Sequence, residues 1–214
     1  MQKINIKKLL AHKIFRILKW AFLILLALYF ILVIFRLVES FKLDRTNAQV
    51  EKIHSTKITI DDVMGKNIPP DPGEESDKTI EGVDANKNGI RDDVELAIFE
   101  KYPDSAKTRA ALLQYALVLQ MELTQPFVNA TIATEIGREH SRSSNCLGEF
   151  LLEDNNISLN DFLEKGDLLS DFIEELQYNN QERKEIHKSL FEKIGSYSDL
   201  NEKFCDVDYS KLSN

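Results

Sequence analysis

Residues Ala106 to Leu123 read AKTRAALLQYALVLQMEL. Apolar residues fall on most sides of this stretch when it is wound at 3.6 residues per turn. A helix that rides on a protein surface keeps one apolar stripe and one polar face, whereas a helix apolar nearly all round belongs inside. The stretch therefore reads as a central buried helix, and its neighbours must be elements that can wrap it.

Working outward, the neighbours also read as helices. On the upstream side, Val94, Ala97 and Ile98 recur at helical spacing from Asp92 onward, with Leu96 and Phe99 widening the apolar face. Pro103 stops that helix, and Asp104 or Ser105 can cap the central one. Downstream, Pro126 begins a helix with Phe127, Val128, Ile132 and Ile136 facing inward. Ser158 caps a short helix carrying Leu159, Phe162 and Leu163. Leu168, Leu169, Phe172, Ile173 and Leu176 form the next stripe. Asn179 with Glu182 resembles a capping box before Ile186, Leu190, Phe191 and Ile194. No internal repeat and no alternating strand series is present. The expected fold is all-α, with about six helices in a domain over residues 82–214.

Upstream of that domain the composition changes. Residues 66–79, KNIPPDPGEESDKT, hold Pro69, Pro70 and Pro72, Gly73 and four acids. Such a stretch is expected to be a linker or an ordered loop without regular structure. STKITIDDVMG, residues 55–65, is expected to hold one short strand or extended chain. Residues 39–55 read as a short stalk, so 39–81 together form a stalk and linker.

The first forty residues are different again. Trp20 to Phe35, WAFLILLALYFILVIF, is sixteen residues without a charge. A helix of that length spans roughly 24 Å, and Lys19 and Arg36 at its ends can snorkel toward headgroups. The expected transmembrane helix is 17–38, after a basic N-terminus at 1–16. A cleavable signal peptide is the competing reading, but no small-x-small pair follows the run closely. Six Lys/Arg and no acid precede Trp20, where the uncharged run begins, which favours a cytoplasmic N-terminus and an extracytoplasmic body. In a bacterium with two membranes this makes a single-pass inner-membrane protein with a periplasmic C-terminal domain.

The charge is as uneven as the hydropathy. Residues 1–40 hold seven of the 27 Lys/Arg and one of the 35 acids, so 41–214 carries a net charge of −14. Such a body would repel phosphates, which excludes nucleic acid as an expected partner. The membrane is the partner the chain itself specifies; any envelope protein partner is left unspecified. Cys146 and Cys205 are the two cysteines. In an oxidising compartment they permit one disulfide, the alternative being two buried thiols.

One short stretch carries chemistry. From Asp84, positions 1, 3, 5, 6, 7, 9 and 12 are Asp84, Asn86, Asn88, Gly89, Ile90, Asp92 and Glu95. This is the ligand spacing of a calcium loop, D-x-[DN]-x-[DN]-G-x5-E. Calcium takes six to eight oxygens, and odd-numbered side chains converge when a chain wraps an ion. Gly89 permits the sharp turn, Ile90 offers its backbone carbonyl, Asp92 binds directly or through water, and Glu95 can supply two oxygens. The competing reading is an Asx-rich turn followed by a capping box, with Asp92 as N-cap and Glu95 at N3.

The loop resembles the dockerin and thrombospondin type-3 class of EF-hand-like calcium loops. The resemblance covers the twelve residues 84–95 and the exiting helix, and implies Ca²⁺ as the bound ion. There are two departures. No entering helix is readable before Gly82, and position 8, usually apolar and paired with a second loop, is Arg91. GVDANKNGIRDDVE leading into a helical body is also similar to a group of bacterial envelope proteins, which implies a location and a fold type rather than an activity. EIGREH, with Glu135, Glu139 and His140, reads as a solvated helix face, and His54 and His187 read as isolated. No nucleophile elbow and no phosphate loop is present. The expected function is a membrane-anchored extracytoplasmic calcium-binding module with a binding or structural role at the cell envelope. The alternative is a small envelope enzyme whose ion is only structural, and a secreted form freed by signal cleavage is a third reading.

Overall fold

The structure, a computed structural model, describes residues 6–152, 156–197 and 203–212, the first seven of these and Ser210 by backbone alone. Most of the basic flank 1–16 thus lies outside the residues whose side chains are described. The described elements are all helical. They are α1 (Ile6–Ser55), α2 (Ile60–Val63), α3 (Asp92–Lys101), α4 (Ala106–Thr124), α5 (Ala130–Leu152), α6 (Leu159–Gln177) and α7 (Gln181–Phe191), with 3₁₀ turns at Gly73–Asp77 and Tyr209–Lys211. The chain divides into two compact units, 1–48 and 49–214.

The described residues of the first unit are helix. Within α1 the stretch from Lys13 onward is long and apolar enough to cross a membrane, and its large side chains, among them Trp20, Leu25, Tyr29 and Phe35, are exposed.

The second unit is built on α4. Of its 19 residues 17 are buried, so the helix has no solvent face. It packs against α2, α3, α5, α6 and α7. Leu112, Leu113, Leu117 and Leu119 meet Ile90, Val94 and Ile98 from the loop and α3, Ile132 and Ile136 from α5, and Ile173 from α6 in one core. Several polar residues of α4 are buried too, and Arg109, Gln114 and Gln120 tie down distant segments, as buried polar groups must be paired. Arg109 donates to the carbonyls of Val63 (3.1 Å) and Tyr102 (2.9 Å). Gln114 donates to Phe204 O and accepts from Asp206 N, at 2.8 and 2.9 Å. Gln120 donates to Glu81 O at 2.7 Å.

The caps refine the sequence reading. Ser105 caps α4 and Ser158 caps α6, accepting from Thr108 N and Asp161 N. The stripes around Leu163 and Leu169 belong to one helix, α6, not two. Asn180, one residue past the expected Asn179, caps α7 through Arg183 N at 3.0 Å. Helix α5 starts at Ala130 rather than Pro126, because the Asn129 side chain accepts from Ile132 N. Residues 60–63 form a helical turn, not a strand. Thr59 and Asp62 make a reciprocal capping box that favours the turn over extended chain. The Pro-rich stretch is an ordered loop containing the 3₁₀ turn Gly73–Asp77. Its order comes from the fully buried Arg183, which donates to the carbonyls of Ser76, Thr79 and Ile80 and pairs with Asp77.

Cys146 on α5 and Cys205 in the C-terminal segment stand at disulfide distance, with Cα atoms 4.9 Å apart.

Candidate functional site: an oxygen-lined loop and two buried acid centres

The stretch 84–95 wraps back on itself. Asp84 accepts from Asn88 N through Oδ1 and from Gly89 N through Oδ2, at 3.2 and 3.0 Å. Asn86 Oδ1 accepts from Asn88 N, and Asn88 Oδ1 from Ile90 N. These are short side-chain-to-backbone turns, available to Asp and Asn because their oxygens reach the main chain two to five residues on. Two left-handed positions allow the curl, Lys87 at φ 60° and Gly89 at φ 87°. Gly89 lies directly on the central helix. A Cβ there would come within 2.8 Å of Leu117 Cδ1.

The exit from the loop is acidic and dry. Asp92 and Glu95 are fully buried. Both oxygens of Asp92 accept from Ala85 N, at 3.0 and 3.1 Å. Glu95 Oε2 accepts from the side-chain amides of Asn86 and Asn88, each at 3.0 Å. Glu95 Oε1 is buried with no hydrogen-bond partner. Burial pushes the Glu95 carboxyl up to about 7. The two amides oppose the shift, and the Asp62 and Asp92 carboxylates add to it. Asp92 is raised as well, first by burial and then by Asp84 and Asp93, against the Ala85 N–H.

Of the competing reading, the Asx turns form and the capping box does not. The N-cap of α3 is Arg91, without a side-chain cap, and Asp92 and Glu95 turn toward the loop instead. The structure thus brings Asp84, Asn86, Asn88, Asp92 and Glu95 into one hydrogen-bonded unit, with Ile90 buried beneath them. Among the described residues no three His, Cys, Asp or Glu side chains form a metal-holding group. A calcium donor set need not be of that kind, since amide and backbone oxygens serve as well as carboxylates.

Position 8 has an unexpected use. Arg91 is fully buried and forks onto Asp93, with Nε to Oδ1 at 2.6 Å and Nη2 to Oδ2 at 2.8 Å. It also donates to the carbonyls of Leu176 (2.7 Å) and Gln177 (3.3 Å) at the end of α6. Gly82, at φ 68°, makes room for it, because a Cβ there would sit 2.4 Å from Arg91 Cδ.

A second buried carboxylate lies on α4. Glu122 accepts from His140 Nδ1 (2.9 Å), His187 Nδ1 (2.6 Å) and Tyr178 OH (2.6 Å), so one side chain joins α4 to α5, α7 and the end of α6. Burial pushes Glu122 up, but these donors outweigh it and its pKa is lowered. Burial lowers His187, yet the Glu122 hydrogen bond and charge leave it raised. Tyr178 is raised by burial and by Glu122. His187 also lines a cleft of about 620 Å³ with Asp171, Glu174 and Lys184.

EIGREH is thus not a solvated face. Glu139 is buried and meets His54 Nδ1 at 2.9 Å, Lys57 Nζ at 2.9 Å and Arg142 Nε at 2.7 Å, while Glu135 takes His54 Nε2 at 3.0 Å. Burial raises Glu139, and Lys57, Arg142 and His54 bring it below its ordinary value. No local signal marks His54 or His187. Their acids lie 81 and 85, and 65, residues away. The one available clue was Glu122, the single carboxylate in a helix that is apolar on most sides.

No protein-family model, no curated protein and no solved structure matches this chain.

Proposed function

We propose that the chain is a membrane-anchored, calcium-binding helical module with a binding or structural role at the cell envelope. The N-terminal helix is the single-pass anchor in the inner membrane. The acidic domain lies on the periplasmic side, as the basic flank 1–16 favours. One observation carries the calcium reading: Glu95 is fully buried with one oxygen unpaired, at the close of a loop whose Asn86 and Asn88 side chains already turn to it. A buried carboxylate without a counter-charge is costly, and such groups normally pair with a cation or coordinate a metal. Asp84, Asn86, Asn88, the Ile90 carbonyl, Asp92 and Glu95 would hold the ion. The amides of Asn86 and Asn88 now give Glu95 the partial positive charge that a cation would give it in full. Calcium would supply structural cross-linking of the loop to the first turn of α3.

Three carboxylates and two neutral amides suit an affinity on the order of 10⁻⁴–10⁻³ M, as in extracellular modules. At 1 mM calcium that stabilises the folded state by roughly 0.4–1.4 kcal/mol. Calorimetry and melting of the full chain in detergent, with calcium chloride against chelator, test this. Heat of binding and a raised Tm are expected, both absent in Asp84→Ala. A parent that gives neither heat nor a shift leaves the loop as a turn.

The second reading, a small envelope enzyme, is favoured by the Glu122–His187 pair. A buried carboxylate that fixes Nδ1 leaves Nε2 of an imidazole beside a cleft, an arrangement suited to a general base. A hydrolytic activity present in the parent and lost in His187→Gln would support it; activity equal in both discards it.

A further inference from the structure

The lone loop has a structural partner, and it is the corner between α6 and α7. Two fully buried arginines make the joint. Arg91, inside the loop, satisfies the last carbonyls of α6 at Leu176 and Gln177. Arg183, on α7, gathers the carbonyls of Ser76, Thr79 and Ile80, the segment that enters the loop. Asn179, between the two helices, closes the circuit by donating to Asp77 at 2.9 Å and accepting from Arg183 Nη1. Entry and exit of the loop are therefore both tied to residues 176–183.

These ties are directional in chemistry. Helix C-termini carry orphan carbonyls and the negative end of the helix dipole, so a cation is favoured there. A guanidinium can serve two carbonyls and both oxygens of one carboxylate at once through its planar fork, four bonds where an ammonium has three donors. Arg91 sits between Ile90 and Asp92, two proposed ligands. Any opening of the loop that moves them withdraws Arg91 from α6.

We infer that Arg91 couples calcium occupancy of the 84–95 loop to the order of the α6–α7 corner, in the role that a second calcium loop plays in paired sites. This rests on the calcium reading. Without the ion, the unpaired Glu95 oxygen and its acidic neighbours favour opening, and opening frees the α6 C-terminus. With the ion, the loop, Arg91 and residues 176–183 close together. His187 and Tyr178, which hold Glu122, stand at this corner, so the ion steadies that centre as well. The coupling is reciprocal: loosening the corner must weaken calcium binding by the same factor.

The test is amide hydrogen exchange on the full chain in detergent, with calcium chloride or chelator, run beside calorimetry. Calcium is expected to slow exchange in 82–95 and also in 76–81 and 174–183. For the linked opening the factor is 1 + [Ca²⁺]/Kd, roughly 10-fold at 1 mM for a Kd of 0.1 mM. Arg91→Lys keeps a cation but not the fork. It should bind calcium at least about 5-fold more weakly, the low end of a typical coupling, and confine protection to 82–95. Calcium heat with parent protection limited to 82–95 overturns the coupling and leaves the calcium site standing. Absence of calcium heat overturns both.

Discussion

Glu95 and Glu122 are both sealed from solvent, yet their surroundings are opposite. Glu122 receives three donors, two of them imidazoles that can carry charge, and its pKa is lowered. Glu95 leaves one oxygen unpaired, and burial first, then the Asp62 and Asp92 carboxylates, push its pKa up to about 7 against the two neutral amides it receives. The first is an internally compensated staple. The second has no ion-pair partner among the described residues. Burial alone therefore does not say what a carboxylate is for. The balance of donors around it does.

One substitution made at both sites exposes the difference. Glu122→Gln removes the acceptor charge and turns an amide N–H toward groups that are themselves donors. Breaking a buried pair from one side costs about 3–5 kcal/mol, and chemical denaturation of the full chain should show a loss of that size. Glu95→Gln, measured in chelator, should leave stability unchanged or raised, since it removes a buried charge with no counter-charge. The calcium-dependent gain of roughly 0.4–1.4 kcal/mol should vanish with it. A Glu95→Gln protein that is as damaged as Glu122→Gln would make the two centres alike and remove the basis for an ion.

The smallest effect concerns pH. Glu122 has a lowered pKa, so its contribution is complete above about pH 4.5 and is lost as pH falls through its folded value. His187 has a raised pKa, so its contribution is complete below about pH 6.5 and is lost as pH rises through its folded value. Both are present together between those limits. The Tm difference between parent and His187→Gln should be greatest near pH 5–6 and shrink on going to pH 8. His187 is 31% exposed, so solvent screens the pair and the change should be modest. A difference that does not vary with pH would reduce the imidazole to a neutral hydrogen-bond donor.

The two centres also differ in how they could be read from sequence. The loop was legible because its polar groups lie within twelve consecutive residues, and a turn fixes their spacing. α4 was legible for a similar reason, since its apolar positions are local. The Glu122 centre was not. Its partners come from α5, α6 and α7, and only packing brings them together. Arg91 was visible as a departure from the usual apolar position 8, but its partners at 176 and 177 were not. The turn at 60–63 was expected as a strand or extended chain, while the deciding bonds join Thr59 and Asp62.

The lack of a solvent face on α4 limits how its sequence can change. On α5 and α6 each turn returns to an outward position where many residues serve equally, so substitutions there can accumulate with the rhythm of the helix. On α4 nearly every position answers to a neighbour. Ala110, Ala111 and Ala116 have no room for a larger side chain without displacing a packed one, and Leu112, Leu113, Leu117 and Leu119 have none for a void. Such a helix drifts only by paired exchanges in which one residue grows as its neighbour shrinks. Kinship among distant copies of this domain would therefore be recorded in the matched sizes of residues facing α4, even after the letters themselves had changed.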